Sequence, residues 1–169
     1  MPRRRAALGS GFAPRVTVAV RIADGAGDAA FVKALGRECS MSSVASFRPA
    51  TESKVRTAFD RLYEIVHDQS HVTLIADRGG ERVGFLLLLD GLADEVTLEP
   101  QAFVAYMAVK PDSRREGVGA ALLAAAEDEA RRRLLPYIAL MVTEENQGAR
   151  RLYARAGYRT ERRLLCKPL

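Results

Sequence analysis

The stretch from Ala102 to Ala120 reads AFVAYMAVKPDSRREGVGA, and its two halves differ in character. The first half, up to Val109, is a continuous apolar run, which is typical of a strand buried on both faces of a sheet. The second half is basic and contains Gly117 and Gly119, after which apolar residues recur at the spacing of a helix. The segment therefore predicts a buried strand, a glycine-containing turn and a helix in succession.

The turn between this strand and this helix is a candidate anion-binding site. Gly117 and Gly119 carry no Cβ, so the backbone can approach a ligand closely. The first amides of a helix lack internal partners and lie at the positive end of its dipole, which favours a pyrophosphate. The turn lacks the Lys of a P-loop, because Ala120 follows Gly119, and Leu122 replaces the third glycine of a dinucleotide-binding fingerprint. Taken alone, the turn is better explained as a plain strand-to-helix connection.

Outward from this segment, hydrophobic periodicity and turn residues predict ten elements in the order β-α-α-β-β-β-α-β-α-β. This order predicts an α/β (α+β) fold with a mixed central sheet and helices on both faces. The predicted strands are Val16–Ile22, Val72–Ala76, Arg82–Leu89, Ala102–Val109, Tyr137–Val142 and Tyr158–Cys166. The predicted helices are Asp28–Glu38 with Asp28 as N-cap, Thr51–Asp68, Gly119–Arg133 and Asn146–Ala156. The segment Asp77–Glu81 predicts a tight hairpin, and Cys39–Ala50 and Asp90–Pro100 predict loops.

Composition narrows the class of protein. The 169 residues predict one domain, residues 15–169, after a disordered tail over residues 1–14. No continuous apolar run is long enough for a membrane span, so no membrane association is expected. Cys39 and Cys166 show neither metal-ligand spacing nor a disulfide framework, and two histidines give no ligand cluster. We therefore expect no metal site and a reducing, cytoplasmic location.

Positive charge is concentrated near the C-terminus. The formal net charge is +5, and from Asn146 onward seven basic residues stand against one acid. Such a segment can attract an anionic ligand or a nucleic acid. The segment has no interleaved aromatic residues and no nucleic-acid-binding module, which argues against nucleic acid. A solvated arginine-rich surface is the simpler interpretation for most of these residues.

Two motifs together resemble those of the GNAT N-acetyltransferase family. The pattern Arg114-x-x-Gly117-x-Gly119 after a buried strand looks like the family's acyl-CoA-binding motif. The helix pattern from Asn146 to Tyr153, followed by Ala156-Gly157-Tyr158, is similar to its second signature. The predicted order of elements also matches over nearly the whole chain. The resemblance implies that acetyl-CoA binds between two splayed central strands and that its acetyl group passes to a primary amine.

The resemblance also implies roles for particular residues. Backbone amides of the turn would hold the pyrophosphate, and the strand edge at Met107–Val109 would pair with the pantetheine arm. An amide near Met107 or Ala108 would polarise the thioester carbonyl. Tyr153 would protonate the leaving thiolate as a general acid. The expected acetyl-CoA-binding residues are Met107, Ala108, Val109, Arg114, Arg115, Glu116, Gly117, Val118, Gly119, Ala120, Asn146 and Arg150.

The roles implied for Tyr153 and Asn146 each have a simpler structural alternative. Asn146, Arg150 and Tyr153 are spaced to share one helix face, which supports a common site. Tyr153 is otherwise a core tyrosine packed beside Leu152 and Tyr158. Asn146 is otherwise a plain N-cap, a position that Asn favours, and it can fill both roles.

The base that deprotonates the amine is not fixed by the resemblance. A carboxylate could take the proton directly or through water. Glu99 is the preferred candidate, because it directly precedes the central strand. Asp94 and Glu95 in the preceding loop, and Glu144 and Glu145 after the next strand, remain alternatives. The acidic loop also favours a cationic acceptor, although its acids are equally explained as solubilising.

The chain departs from the family near its end. Members usually finish with two strands that wall the acceptor pocket, but only eleven residues follow Tyr158 and no turn residue interrupts Arg159–Leu165. The acceptor pocket is then open, or a second subunit in a homodimer closes it. The amine acceptor, a small molecule or a protein, stays unidentified. An alternative function is a catalytically silent module of the same fold that binds acyl-CoA.

Overall fold

The structure, a computed structural model, describes residues 17–169. The tail expected over residues 1–14 lies outside the described residues. The five strands are β1 Val18–Ile22, β2 His71–Arg78, β3 Glu81–Ala93, β4 Pro100–Val109 and β5 Ile138–Leu140. The four α-helices are α1 Gly25–Cys39, α2 Glu52–His67, α3 Val118–Arg132 and α4 Gln147–Arg155, with short 3-10 helices at Ser40–Ser43 and Pro111–Ser113.

The five strands form one mixed sheet in the order β1-β2-β3-β4-β5. The first four strands are antiparallel neighbours, whereas β4 and β5 pair in parallel. A parallel pair needs a crossover, and α3 provides it between β4 and β5. The predicted fold class, a mixed α/β sheet with helices on both faces, is confirmed.

Each face of the sheet carries its own apolar core. Helices α1 and α2 cover one face, where Val32, Phe59, Ile75, Phe85 and Leu87 are buried. Helix α3 covers the other face, where Leu74, Leu86, Leu122, Leu123 and Ala126 are buried. The side chains of β3 from Val83 to Leu89 are all buried, because the strand lies between two helical layers.

Local sequence accounts for several element ends. Gly79 and Gly80 both have positive φ, 60° and 83°, as the two central residues of a tight β2–β3 turn require. The side-chain oxygen of Thr51 accepts a hydrogen bond from the Lys54 amide at 3.3 Å and caps α2. The predicted hairpin and the predicted start of α2 are therefore confirmed.

Asp28 is not the N-cap that the sequence predicted. Helix α1 begins three residues earlier, at Gly25, and Asp28 lies inside it with 1% of its surface exposed. Its carboxylate accepts hydrogen bonds from Arg21, from Arg82 and from the Asp24 amide. Because these partners come from β1 and β3, the carboxylate ties the start of α1 to the sheet.

The β3–β4 connection is shorter than predicted. Pairing extends to Leu92↔Gln101 and Ala93↔Pro100, so the acidic loop reduces to residues 94–99. Asp94 accepts hydrogen bonds from the amides of Val96 and Thr97, and these local bonds form the turn.

The predicted last strand, Tyr158–Cys166, is wrong. Residues 158–169 adopt no regular secondary structure. The segment contains no alternating apolar face: its adjacent leucines, Leu164 and Leu165, are 89% and 88% exposed. Instead, the segment is held by side chains, with Arg162 on Asp94 at 2.6 Å and Cys166 near Arg48 at 3.2 Å. It thereby connects the β3–β4 loop to the loop between α1 and α2.

Among residues 17–169, no helix combines the length and the apolar character that crossing a membrane requires.

The buried Asp28 cluster should contribute strongly to stability. Hydrogen bonds, chiefly from Arg21, hold the pKa of Asp28 well below its ordinary value, although burial opposes this. Asp28→Asn should lower the free energy of unfolding by about 2–4 kcal/mol at pH 7, because it leaves two arginines without their carboxylate. Urea unfolding curves measure this difference.

The control is Asp60→Asn, which removes the partly exposed pair with Arg37 and should cost no more than about 1 kcal/mol. A depressed folded pKa means that the contribution of Asp28 is present above about pH 4 and is lost as the pH falls. The difference between wild type and Asp28→Asn should therefore shrink in acid. Equal costs for both substitutions at pH 7 would contradict this assignment.

Candidate functional site

A β-bulge in β4 creates the opening at the centre of the sheet. Leu87 pairs with Tyr106, but the next residue, Leu88, pairs with Val104, so Ala105 is an extra residue on β4. The pairing of β4 with β5 ends at Val104↔Leu140. Beyond the bulge, β4 therefore continues along β3 while its other edge has no strand partner. We call this edge, from Ala105 to Val109, the open edge of β4.

Backbone groups of Met107 and Val109 point towards the open edge. The Lys110 amide donates to the Val83 carbonyl at 2.9 Å, which fixes the antiparallel register. In such a ladder, alternate residues direct their N–H and C=O groups to opposite sides. Ala108 therefore bonds towards β3, whereas Met107 and Val109 present theirs to the opening.

The loop from Ser113 to Gly117, between β4 and α3, contains two residues with positive φ. Arg115 has φ of 65° and Gly117 has φ of 86°, and for Arg115 this conformation costs about 1–2 kcal/mol. Successive residues with such dihedrals form concave groups of amides that bind anions. Within residues 17–169, no hydrogen bond engages the amides of residues 115–120, and α3 has no side-chain cap.

Charged side chains surround this loop. Arg114 turns back onto β4, where its Nε donates to the Val109 carbonyl at 3.2 Å and an Nη lies 3.5 Å from the Cys39 sulfur. Glu116 forms an ion pair with Arg78 at the end of β2. The loop is thus attached to the sheet on two sides.

Gly119 has a packing role that the sequence did not indicate. A Cβ at this position would lie 2.8 Å from Leu152 Cδ2 and 3.9 Å from Met107 Cε. The absence of a side chain therefore lets α3 and α4 approach each other beside the open edge. Val118 is buried under this contact, while Ala120 is exposed.

Helix α4 carries the second group of predicted site residues. The Asn146 side chain accepts from the Ala149 amide at 3.1 Å, so Asn146 is the N-cap of α4. Arg150 contacts Glu144, with 3.0 Å between Nη1 and the carboxylate. Both residues lie just after β5, at the end where β5 departs from β4.

Tyr153 is partly buried at the edge of the α3-side core. Its ring lies 5.9 Å from that of Tyr158, and burial raises its pKa above the ordinary value. The phenol therefore stays protonated at neutral pH and is able to donate a proton. Tyr153 packs against the same core as Leu152, its neighbour on α4.

The sequence analysis missed Tyr106, which lay within an apolar run. Because of the bulge, Ala105 and Tyr106 both face α1 and α2. The centroid of the Tyr106 ring lies 5.0 Å from that of Phe59, and burial raises the pKa of the Tyr106 hydroxyl to about 12. Tyr106 is therefore a neutral hydroxyl on the side of the open edge that faces α1 and α2.

Two loops meet across the open end of the sheet. Ser46, between α1 and α2, donates from its amide and its hydroxyl to the Glu145 carboxylate, the latter at 2.9 Å. The Thr143 hydroxyl donates to the Ser43 carbonyl at 2.7 Å. These bonds place the α1–α2 loop over the divergence of β4 and β5, and they occupy the carboxylate of Glu145.

The acidic residues predicted near the acceptor are dispersed. Glu99 is exposed and lies at the start of β4, eight residues before Met107, which corresponds to about 25 Å of extended chain. The structure therefore does not bring Glu99 to the opening. Asp94 is paired with Arg162, and Asp90 is paired with Arg133. The amides of Thr97 and Val96 together with Arg162 lower the pKa of Asp94 well below its ordinary range.

The arrangement suits a ligand with two distinct parts. The amides of residues 115–120, at the N-terminus of α3, favour a compact anion such as a pyrophosphate. The open edge of β4 offers strand-like hydrogen bonds to an amide-containing arm. Within the described residues, no cluster of three His, Cys, Asp or Glu side chains could hold a metal ion.

Comparison with known proteins assigns the chain to a family. The model of the acetyltransferase (GNAT) family matches residues 41–158. The chain belongs to this family. A comparison with curated proteins gave no significant match.

Solved structures share the fold over most of their length. A Pyrococcus furiosus protein, provisionally assigned as an acetyl transferase, is 27% identical with a TM-score of 0.75, covering 89% of this chain and all of the other. A ribosomal-protein-alanine N-acetyltransferase from Brucella melitensis is 19% identical with a TM-score of 0.65, covering 90% and 99%. An aminoglycoside N-acetyltransferase in complex with CoA is 17% identical with a TM-score of 0.62, covering 94% and 99%.

The packing role of Gly119 can be tested against a second helical glycine. Gly148 is exposed, and a Cβ added there would have no neighbouring atom closer than 3.8 Å. Gly148→Ala should therefore raise the free energy of unfolding by up to about 1 kcal/mol, because Ala has the higher helix propensity. Gly119→Ala should be less favourable than Gly148→Ala by about 1 kcal/mol or more, because the new methyl displaces Leu152. Chemical denaturation measures both free energies of unfolding.

The Leu152→Ala background removes the obstructing side chain. There, the difference between the two glycine substitutions should disappear. A difference that persists in this background would show that Gly119 does not act through Leu152.

Proposed function

We propose that this protein transfers the acetyl group of acetyl-CoA to a primary amine. The observation that carries the proposal is the combination of the open edge of β4 with the unpaired amides of residues 115–120. Membership of the acetyltransferase (GNAT) family and the CoA-bound neighbour support the same ligand. The two free cysteines and the dependence on acetyl-CoA fit a cytoplasmic enzyme.

Acetyl-CoA would bind through both parts of the site. The amides from Arg115 to Ala120 would hold the pyrophosphate, with Arg114 contributing positive charge beside it. The N–H and C=O groups of Met107 and Val109 would pair with the pantetheine amides as an added strand. Asn146 and Arg150, at the start of α4, would contact the same arm from the opposite side of the opening.

The reaction then proceeds by direct attack. The neutral amine nitrogen attacks the thioester carbonyl carbon, and the Met107 amide stabilises the negative charge that develops on oxygen. The carbon–sulfur bond breaks, and the Tyr153 hydroxyl gives its proton to the leaving thiolate. The amine loses its proton to solvent or to the exposed Glu144 carboxylate after β5, because Ser46 occupies the Glu145 carboxylate. Glu99 is too far along β4 to serve directly.

The acceptor would enter from the side of α1 and α2. The α1–α2 loop, residues 94–99 and the C-terminal segment are joined by Arg48–Cys166 and Arg162–Asp94 contacts, which enclose this side. The neighbours named above act on a ribosomal-protein alanine and on aminoglycosides, both of which are amines. Arg162 pairs with both Asp94 and Glu95, and Arg133 pairs with Asp90, so the acidic loop offers a cationic acceptor little unpaired negative charge.

Tyr153→Phe tests the proposed acid. The substitution removes one hydroxyl that has no hydrogen-bond partner within residues 17–169, so folding should be preserved. Turnover with the best amine from a panel, followed as release of free CoA, should fall about 10²–10⁴-fold, the usual range for a positioned proton donor. Acetyl-CoA affinity should barely change.

The matched control is Tyr137→Phe, because Tyr137 is 61% exposed just before β5. It should retain wild-type turnover. If the Tyr153→Phe variant keeps wild-type turnover, Tyr153 is not the general acid and only packs in the core. Wild-type protein that binds acetyl-CoA but acetylates no amine in the panel would favour the silent acyl-CoA-binding module.

A further inference from the structure

Arg78, which lies outside the family motif, contacts the loop from Ser113 to Gly117 through its guanidinium. Arg78 is the last residue of β2, next to the Gly79–Gly80 turn, and 26% of its side chain is exposed. One end of its guanidinium pairs with the Glu116 carboxylate, and Nη2 donates to the Ser113 hydroxyl at 3.1 Å. Ser113 is 2% exposed and donates in turn to Asp112.

These two contacts enclose the strained part of the loop. Ser113 and Glu116 flank Arg114 and Arg115, and Arg115 has a left-handed conformation. A guanidinium is a planar fork, so it can fix two acceptors in one geometry. Arg78 therefore restrains both ends of the segment whose shape creates the anion site.

The pair with Glu116 also has an electrostatic consequence. Glu116 contributes a negative charge to a loop that, under the proposed function, binds a pyrophosphate. An unpaired carboxylate here would repel that ligand, because the interaction between like charges is strong at short range. Pairing with Arg78 neutralises this charge and directs the carboxylate towards β2.

We propose that Arg78 is a positioning residue for acetyl-CoA, which neutralises Glu116 and holds the loop from Ser113 to Gly117 in its anion-binding form. The inference rests on the proposed function, since it assumes that this loop binds the pyrophosphate. Arg78 acts through Glu116 and Ser113 and does not need to touch the ligand.

A double-mutant cycle separates this role from direct contact. Acetyl-CoA dissociation constants are measured by calorimetry for wild type, Arg78→Gln, Glu116→Gln and the double variant. Arg78→Gln should weaken binding about 10-fold, within the usual range of coupling between neighbouring groups. In the Glu116→Gln background the same substitution should weaken binding less than about 3-fold, because no negative charge is left at position 116 to neutralise. Turnover at saturating acetyl-CoA should stay at the wild-type value.

Two further variants keep the test decisive. Arg56→Gln removes an arginine paired with Glu52 on the outer surface of α2, and it should leave binding unchanged. Arg78→Lys keeps the charge but loses the fork, so its dissociation constant should lie between those of wild type and Arg78→Gln. Melting temperatures show that each variant is folded.

The outcomes are distinguishable. Unchanged acetyl-CoA affinity in a folded Arg78→Gln or Arg78→Lys variant would overturn the inference and leave the proposed function intact. An equal loss in both Glu116 backgrounds would also overturn it, since Arg78 would then contact the ligand directly. Wild-type protein that does not bind acetyl-CoA would overturn both the inference and the proposed function.

Discussion

The extra residue at Ala105 is the constraint on which the site depends. A regular β4 would continue its pairing with β5 and leave no space between the two strands. Because the bulge shifts the register at Leu87 and Leu88, the pairing with β5 stops at Val104 while the pairing with β3 continues. The sheet therefore stays intact on one side of β4 and opens on the other, which leaves hydrogen-bonding groups of the β4 backbone unused at the centre of the sheet.

The elements around this opening serve it in different ways. Helix α3 provides the parallel crossover, and its N-terminal amides are the groups that the proposed function assigns to the pyrophosphate. Leu152 of α4 can pack against the start of α3 because Gly119 has no side chain that would clash with it. The loop between α1 and α2 covers the other end through Ser46 and Glu145. Charged residues that looked available in the sequence, such as Asp94 and Glu145, are mostly used to hold these loops in place.

Sequence patterns predicted the fold well where the signal spans many residues. The helical periodicity of α3, the paired glycines of the β2–β3 turn and the apolar run of β4 all led to the correct elements.

The bulge could not be predicted, because one extra residue in a uniformly apolar strand leaves no compositional trace. Asp28 was misread as a cap, because its partners Arg21 and Arg82 lie on two strands whose position beside α1 the sequence pattern does not reveal. The last strand was overpredicted, because Arg159–Leu165 has no alternating apolar face. Glu99 was chosen for its nearness to β4 in sequence, which concealed the length of the strand between it and Met107.

The central claim is that acetyl-CoA pairs with the open edge of β4, and residue-resolved amide hydrogen exchange tests it most directly. With saturating acetyl-CoA, the amides of Met107 and Val109 should exchange much more slowly than in the free protein, because they gain hydrogen-bond partners. The amides of Ala108 and Lys110, which already bond towards β3, should change far less and serve as internal controls. Unchanged exchange at Met107 and Val109 in protein that has bound acetyl-CoA would contradict the account.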